Sequence, residues 1–199
     1  CSNLEKINFG NINTSSVQYM KNLFSSCYKL TSIDISHLDT SQVVDISFMF
    51  SQCSNLEKIN FGNINTSSLK NMYSLFKDCI NLTSIDLTIF DTSYIQDMGA
   101  VFSGCSNLEK INFGNISTSS VNYMDYLFSG CSKLLTLNLS TFDTSQVRYM
   151  NGMFYNCSNL KYLDLSSFNT SKLRYIDYNL SPHTFFILIK KLCFITAAH

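Results

Sequence analysis

CSNLEKINFGNINTSSVQYMKNLFSS, residues 1–26, opens a chain in which the same pattern recurs seven times. Seven of the eight cysteines mark the repeat, each 26 residues after the previous one: Cys1, Cys27, Cys53, Cys79, Cys105, Cys131 and Cys157. Cys193 alone lies off this register. A long period kept over most of a chain is typical of proteins whose repeats stack on their neighbours.

Within each repeat, or coil, the spacing of apolar residues changes once. Counting the cysteine as position 1, position 4 is always leucine, and apolar positions 7 and 9 alternate with polar positions 6, 8 and 10. This alternation predicts a short strand with one buried face. Apolar positions 17, 20 and 24 have the spacing of a short amphipathic helix, and Asp, Asn or Ser at position 13 is a favoured N-cap.

Strand, turn, cap and helix in one coil are the pattern of a leucine-rich repeat. We therefore predict an α/β repeat solenoid, a right-handed coil with a parallel β-sheet on its concave face and short helices on its convex face. Residues 1–182 form an array of seven 26-residue coils, and residues 183–199 a divergent C-terminal tail or cap. Coils 1, 3 and 5 share CSNLEKINFGNI, which indicates a duplication unit of two coils. Because the chain starts inside the array without methionine, we expect a fragment.

The charge of the chain is balanced, with 14 Lys and Arg against 14 Asp and Glu. Nothing here favours nucleic-acid binding. The apolar run in residues 183–199 is interrupted by Lys190 and Lys191 and is too short to span a membrane, so no membrane insertion by this segment is expected. No feature indicates an oligomeric state.

The column of cysteines allows three interpretations: small buried groups of the core, disulfides, or a metal site. Metal sites use closely spaced ligands, whereas these cysteines are 26 residues apart and the chain has only three histidines. Core packing is the simplest interpretation. No nucleophile elbow, phosphate loop or metalloprotease helix occurs, so we expect no enzyme, no catalytic or metal-binding residue and no cofactor.

The run from Phe142 to Cys157, F-D-T-S-x-V-x-x-M-x-x-M-F-x-x-C, followed by x-x-L-x-x-L-x-L, resembles the repeats of BspA-like leucine-rich repeat surface proteins, in particular the 26-residue type of mycoplasmal lipoproteins. Departures are Ile46 for methionine in coil 2, and Asn179-Leu180 for Met-Phe in coil 7. The resemblance implies a cell-surface or secreted protein that takes part in adhesion, with an extracellular protein or glycan as ligand.

A second resemblance is to the cysteine-containing repeats of F-box-type ubiquitin-ligase adaptors, which would be intracellular. Those repeats usually carry a second cysteine at position 12, where this chain has residues such as Ile12, Leu38 and Phe90. A passive structural spacer is a third interpretation.

The concave strand face is the customary ligand surface of such arrays. Its outward positions 6 and 8 supply the candidate binding residues: Lys6, Asn8, Ser32, Asp34, Lys58, Asn60, Ser84, Asp86, Lys110, Asn112, Asn138, Tyr162 and Asp164. Alternation of Asn with Asp also keeps like charges apart on neighbouring strands, which explains position 8 without any ligand. A column of tyrosines at position 19 is a competing surface: Tyr19, Tyr123, Tyr149 and Tyr175.

Overall fold

The computed structural model describes residues 1–174, in which each coil lies on the next with residue i beside residue i + 26. The contact between coils is continuous at position 19. There, parallel bridges join Tyr19, Asp45, Asn71, Asp97, Tyr123 and Tyr149 in succession. Each 26-residue repeat therefore forms one layer of the stack.

Six short strands lie at positions 6 to 8 of coils 2 to 7. They are β1 (Ser32–Asp34), β2 (Lys58–Asn60), β3 (Ser84–Asp86), β4 (Lys110–Asn112), β5 (Thr136–Leu137) and β6 (Tyr162–Leu163). They form three separate parallel pairs, β1–β2, β3–β4 and β5–β6, in which Ile33 lies beside Ile59, Ile85 beside Ile111 and Leu137 beside Leu163. The predicted parallel strands are present, but they do not form one sheet.

Glycine at position 10 permits the close approach of coils in two of the three strand pairs. A Cβ atom on Gly62 would lie 2.3 Å from Cβ of Ser36 in the coil before it, and one on Gly114 would lie 2.8 Å from Cγ2 of Thr88. Both glycines also have positive φ, 58° and 55°. Only a residue without a side chain lets coils 3 and 5 approach coils 2 and 4 so closely just after the strands. In the third pair, position 10 is Ser166, and the strands are one residue shorter.

The predicted helices are wrong, because residues 1–174 contain no helix. Positions 22 and 26 of coils 1 to 6 have φ between 53° and 77°, which the right-handed helix does not allow. Backbone N–H groups at positions 20, 22, 24 and 26 donate to the neighbouring coil, as Met98 donates to Tyr123 (3.0 Å) and Phe102 to Leu127 (3.0 Å). N–H groups between them bond three residues back, as Ser103 does to Ala100. This side of the stack is a series of tight turns, and the α/β assignment becomes an all-β arrangement.

Apolar columns fill the space between the strands and the turns. The phenylalanines of position 24 stack ring on ring at centroid distances of 5.5 to 5.9 Å: Phe24, Phe50, Phe76, Phe102, Phe128 and Phe154. Leucines of position 4 and methionines of position 20 line the same core. Within the described residues, each column packs neighbouring coils against one another, so the core is shared between coils.

The side chains at positions 13 and 14 form hydrogen bonds with backbone groups. The predicted cap at position 13 does accept a backbone hydrogen bond, but from the N–H two residues on, as Ser93 donates to Asp91 Oδ1 at 3.0 Å. It therefore closes an Asx turn rather than starting a helix. Thr92, at position 14, is buried, and its hydroxyl donates to the Ser117 carbonyl (2.7 Å) and accepts from the Ser117 N–H (2.8 Å).

Replacing Thr92 by Val is expected to lower the free energy of unfolding by about 1–2 kcal/mol, because the shape is kept while two backbone groups of Ser117 lose their partner. Urea unfolding followed by circular dichroism measures the change. The neighbouring Ser93→Ala is the control, since the exposed Ser93 bonds through its backbone N–H. Equal stability of the Thr92 variant and the wild type would contradict the role given to this hydroxyl.

The core-packing interpretation of the cysteine column is confirmed: Cys27 and the following cysteines to Cys157 are free and buried. The thiols of Cys53 and its successors each donate to a phenylalanine carbonyl of the coil before, as Cys105 does to Phe76 at 3.0 Å. Burial raises the pKa of Cys53 and Cys157 to about 12, and the pKa of Cys79, Cys105 and Cys131 well above the ordinary value.

We expect alkali to destabilise the fold through these thiols. In the unfolded chain a thiol ionises near pH 8.5. Because the folded-state pKa is higher, the contribution to stability is complete below that pH and is lost as the pH rises towards 12. The urea midpoint should therefore fall from pH 8 to pH 10.5. Cys105→Ala removes one thiol and should flatten the decline. The same decline in that variant would contradict the assignment.

Candidate functional site

All thirteen residues predicted from the strand pattern are exposed. They occupy positions 6 and 8, the two outward positions of each strand, and we call this surface the strand face. Lys6 and Asn8 lie at the same register in coil 1, which has no strand. The structure thus places the predicted residues in two rows that run along the stack.

The carboxylates of the strand face are engaged within it. Asn60 Nδ2 donates to Asp34 Oδ2 at 2.9 Å, and Asn112 Nδ2 donates to Asp86 Oδ2 at 3.0 Å. The other oxygen of each Asp accepts a backbone N–H, from Ser36 at 2.9 Å or from Thr88 at 2.8 Å. Hydrogen bonds from these partners lower the pKa of both carboxyls. The alternation of Asn and Asp therefore pairs each amide with an acid.

The lysines of the strand face differ from its acids. Within residues 1–174, the ammonium groups of Lys58 and Lys110 have no hydrogen bond and no ion pair shorter than 4.0 Å. Lys110 lies near enough to Asp86 to contribute to the lowered pKa of that carboxyl. Both ammonium groups are exposed and available to a ligand.

A groove of about 540 Å³ lies on the strand face at the junction of coils 3 and 4. It brings together six of the predicted residues: Lys58, Asn60, Ser84, Asp86, Lys110 and Asn112. Four further lining residues were missed by the sequence analysis: Glu57, Ile59, Phe61 and Ile85. The groove extends over β2, β3 and β4 and includes the break between β2 and β3, where no backbone hydrogen bond joins Lys58–Asn60 to Ser84–Asp86.

The remaining predicted residues lie outside this groove, on the same rows in other coils. A second groove of about 320 Å³ lies at the junction of coils 5 and 6, where β4 and β5 are also unpaired. Glu109, Lys133, Leu135 and Asn159 line it, and none of them was predicted. The sequence analysis did not predict that the sheet breaks after every second strand. The two-coil duplication unit was the feature of the sequence that could have indicated these breaks.

The tyrosine column lies on the continuous bridges of position 19, not on a helix. Tyr123 and Tyr149 stack with a centroid distance of 5.0 Å and an interplanar angle of 6°. Tyr19 is exposed, and Tyr175 lies outside the described residues. The stacked rings pack coil against coil, which accounts for the column without a ligand.

No group of three His, Cys, Asp or Glu side chains within residues 1–174 is placed to hold a metal ion. The same part of the chain has no helix that is long and apolar enough to cross a membrane.

The sequence matches the family described as "Mycoplasma protein of unknown function, DUF285" over residues 1–87 and 76–186. The chain belongs to this family. Among solved structures, the DUF285 chain is similar to the "T. pallidum Leucine Rich Repeat protein (TpLRR)", with 22% identity, a TM-score of 0.45, and 83% of this chain and 81% of that chain covered. No curated protein matches it.

Leucine at position 4 of every coil, stacked in register, makes this DUF285 member a leucine-rich-repeat-like protein. The narrower resemblance to BspA-like surface proteins stays a prediction. The division into residues 1–182 and 183–199 also stays a prediction, since the tail lies outside the described residues.

Proposed function

We propose that this chain is a non-enzymatic binding module, and that its strand face contacts an extracellular protein or glycan as part of a BspA-like surface protein that takes part in adhesion. The observation that carries the proposal is the groove over β2 and β3, where two free lysine ammonium groups, the hydrogen-bonded Asp86 and an apolar lining come together. Grooves of several hundred Å³ with mixed lining are the usual form of ligand sites.

The amino-acid composition of the strand face favours a ligand that makes weak contacts with several coils at once. It lacks the clustered Trp and Arg that carry single tight hot spots, and Tyr162 is its one aromatic residue. Its polar rows repeat along the stack, so a long ligand can engage several coils at once. The proposed partner is therefore an extended chain rather than a compact domain.

Deletion of residues 79–130 tests the proposal, because it removes coils 4 and 5 and the whole β3–β4 pair while keeping the repeat in register. We expect the shortened chain to unfold cooperatively and to bind host cells or matrix more weakly than the full chain. A passive spacer would tolerate the shortening without loss of binding. Undiminished binding would therefore contradict a role for the strand face.

Surface labelling of intact source cells with an antibody against this segment tests the location, with permeabilised cells as the control. Signal on intact cells supports the surface assignment. Signal only after permeabilisation contradicts it and favours the intracellular F-box-type adaptor.

A further inference from the structure

The hydrogen-bond acceptors around the groove between β2 and β3 are largely used inside the protein. Both oxygens of Asp86 accept hydrogen bonds, from Thr88 and from Asn112. The side-chain oxygens of Asn60 and Asn112 accept the backbone N–H groups of Gly62 (3.1 Å) and Gly114 (3.3 Å). A ligand that offers mainly donors would find few free acceptors among these side chains.

Two charged donors of the groove are free. The ammonium groups of Lys58 and Lys110, one on each side, have no partner within the described residues. Backbone donors are free as well. Lys58 N–H and Asn60 C=O bond towards coil 2, with Thr31 and Ile35. Because the direction alternates along a parallel strand, the groups of Ile59 point towards coil 4.

Those backbone groups find no partner across the groove. Pairing of β2 with β3 would join Ile59 to Ser84 and Asp86, yet no backbone hydrogen bond links the two strands. A peptide that crosses the strands can form hydrogen bonds with these unpaired N–H and C=O groups. The inner lining is apolar, formed by Ile59, Phe61 and Ile85.

We propose that this groove binds an extended acidic peptide, with carboxylates of the peptide on Lys58 and Lys110 and an apolar side chain against Ile59 and Ile85. This assignment rests on the proposed function and names the ligand class for the same face. The two lysines are two coils apart, roughly 10 Å at ~4.8 Å per strand. In an extended chain that rises ~3.3 Å per residue, acids two or three positions apart span this distance within the reach of the lysine side chains.

The apolar lining and the unpaired amide groups favour a peptide over an acidic polysaccharide. A peptide supplies apolar side chains together with N–H and C=O groups of its own. Glu57, at the edge of the groove, is exposed and without an ion pair in the described chain, so it disfavours an unbroken run of acids. The acids of the peptide are therefore separated by apolar residues.

The test is fluorescence anisotropy of the full chain with a labelled decapeptide of alternating Glu and Val, beside the same peptide with Gln for Glu. The double variant Lys58→Gln, Lys110→Gln is expected to raise Kd for the acidic peptide about ten-fold or more. Lys29→Gln, Lys70→Gln is the matched control, because both lysines are exposed, lie outside the groove and change the net charge equally. It should change Kd less than about two-fold, and thermal unfolding should be the same for both variants.

Equal effects of the two double variants, or no difference between the Glu and Gln peptides, would overturn the assignment. Failure of the acidic peptide to bind would also overturn it. If heparin binds in a way that depends on Lys58 and Lys110 and the peptide does not bind, the ligand of the groove is a polysaccharide and not a peptide. None of these outcomes touches the proposed function, which the coil deletion and the surface labelling test separately.

Discussion

Replacing Phe102 by Ala is expected to lower the free energy of unfolding by about 3–5 kcal/mol. Phe102 is fully buried and stacks on Phe76 at 5.7 Å and on Phe128 at 5.9 Å. Truncation loses the burial of the ring and leaves a cavity that cannot collapse, because the backbone on either side is fixed to the neighbouring coils. The change affects three coils at once.

Urea unfolding at neutral pH, followed by circular dichroism, measures this loss. Lys58→Ala is the control, since Lys58 is exposed and its truncation should change the free energy of unfolding by less than about 0.5 kcal/mol. A Phe102 variant as stable as the wild type would exclude the phenylalanine column as the structural centre of the stack.

Replacing Gly62 by Ala is expected to cost about 2–4 kcal/mol, because two penalties add. A side chain at φ 58° is strained, and the new Cβ would lie 2.3 Å from Cβ of Ser36, so one of the two coils must shift. The shift should separate β1 from β2, whose register begins four residues earlier at Lys58.

Gly10→Ala is a matched control for this prediction. Gly10 has the same position in coil 1 and a similar φ of 54°, but a Cβ there would meet nothing within 4 Å. It should therefore show only the conformational penalty, about 1–2 kcal/mol. Equal losses in the two variants would mean that strain alone, and not the close approach of coils 2 and 3, explains the glycine.

The buried columns could be predicted from the sequence because apolar periodicity reports burial directly. Leu4, Ile33 and Phe102 all lie where the spacing placed them. Spacing did not distinguish a helix from a series of turns, since both bring positions 17, 20 and 24 to one side. The residues at positions 22 and 26 were the ones that could have distinguished turns from a helix. Gly104 and Gly130 favour positive φ, but Phe48 and Gln52 adopt it at the same positions and obscure the signal.

The outward residues of the strand face could also be predicted, because strand alternation decides which side chains are exposed. The groove could not. It depends on the break between β2 and β3, which follows from the approach of whole coils rather than from any local pattern. Gly62 and Gly114 mark two of the three closely paired junctions, whereas β5 and β6 pair without such a glycine.

Backbone hydrogen exchange resolved by residue with NMR is the most direct test of the account, since its central claim is a helix-free stack whose strand face opens between coils 3 and 4. We predict slow exchange at Met98, Phe102 and Gly104, whose N–H groups bond to the next coil, with chemical shifts of turns and strands. We predict fast exchange at Ile59 and Asp86, beside slow exchange at Leu87, which donates to Asn112 at 2.9 Å. Chemical shifts typical of a helix at positions 17 to 24, or equal protection of the Ile59 and Leu87 amides from hydrogen exchange, would contradict this account.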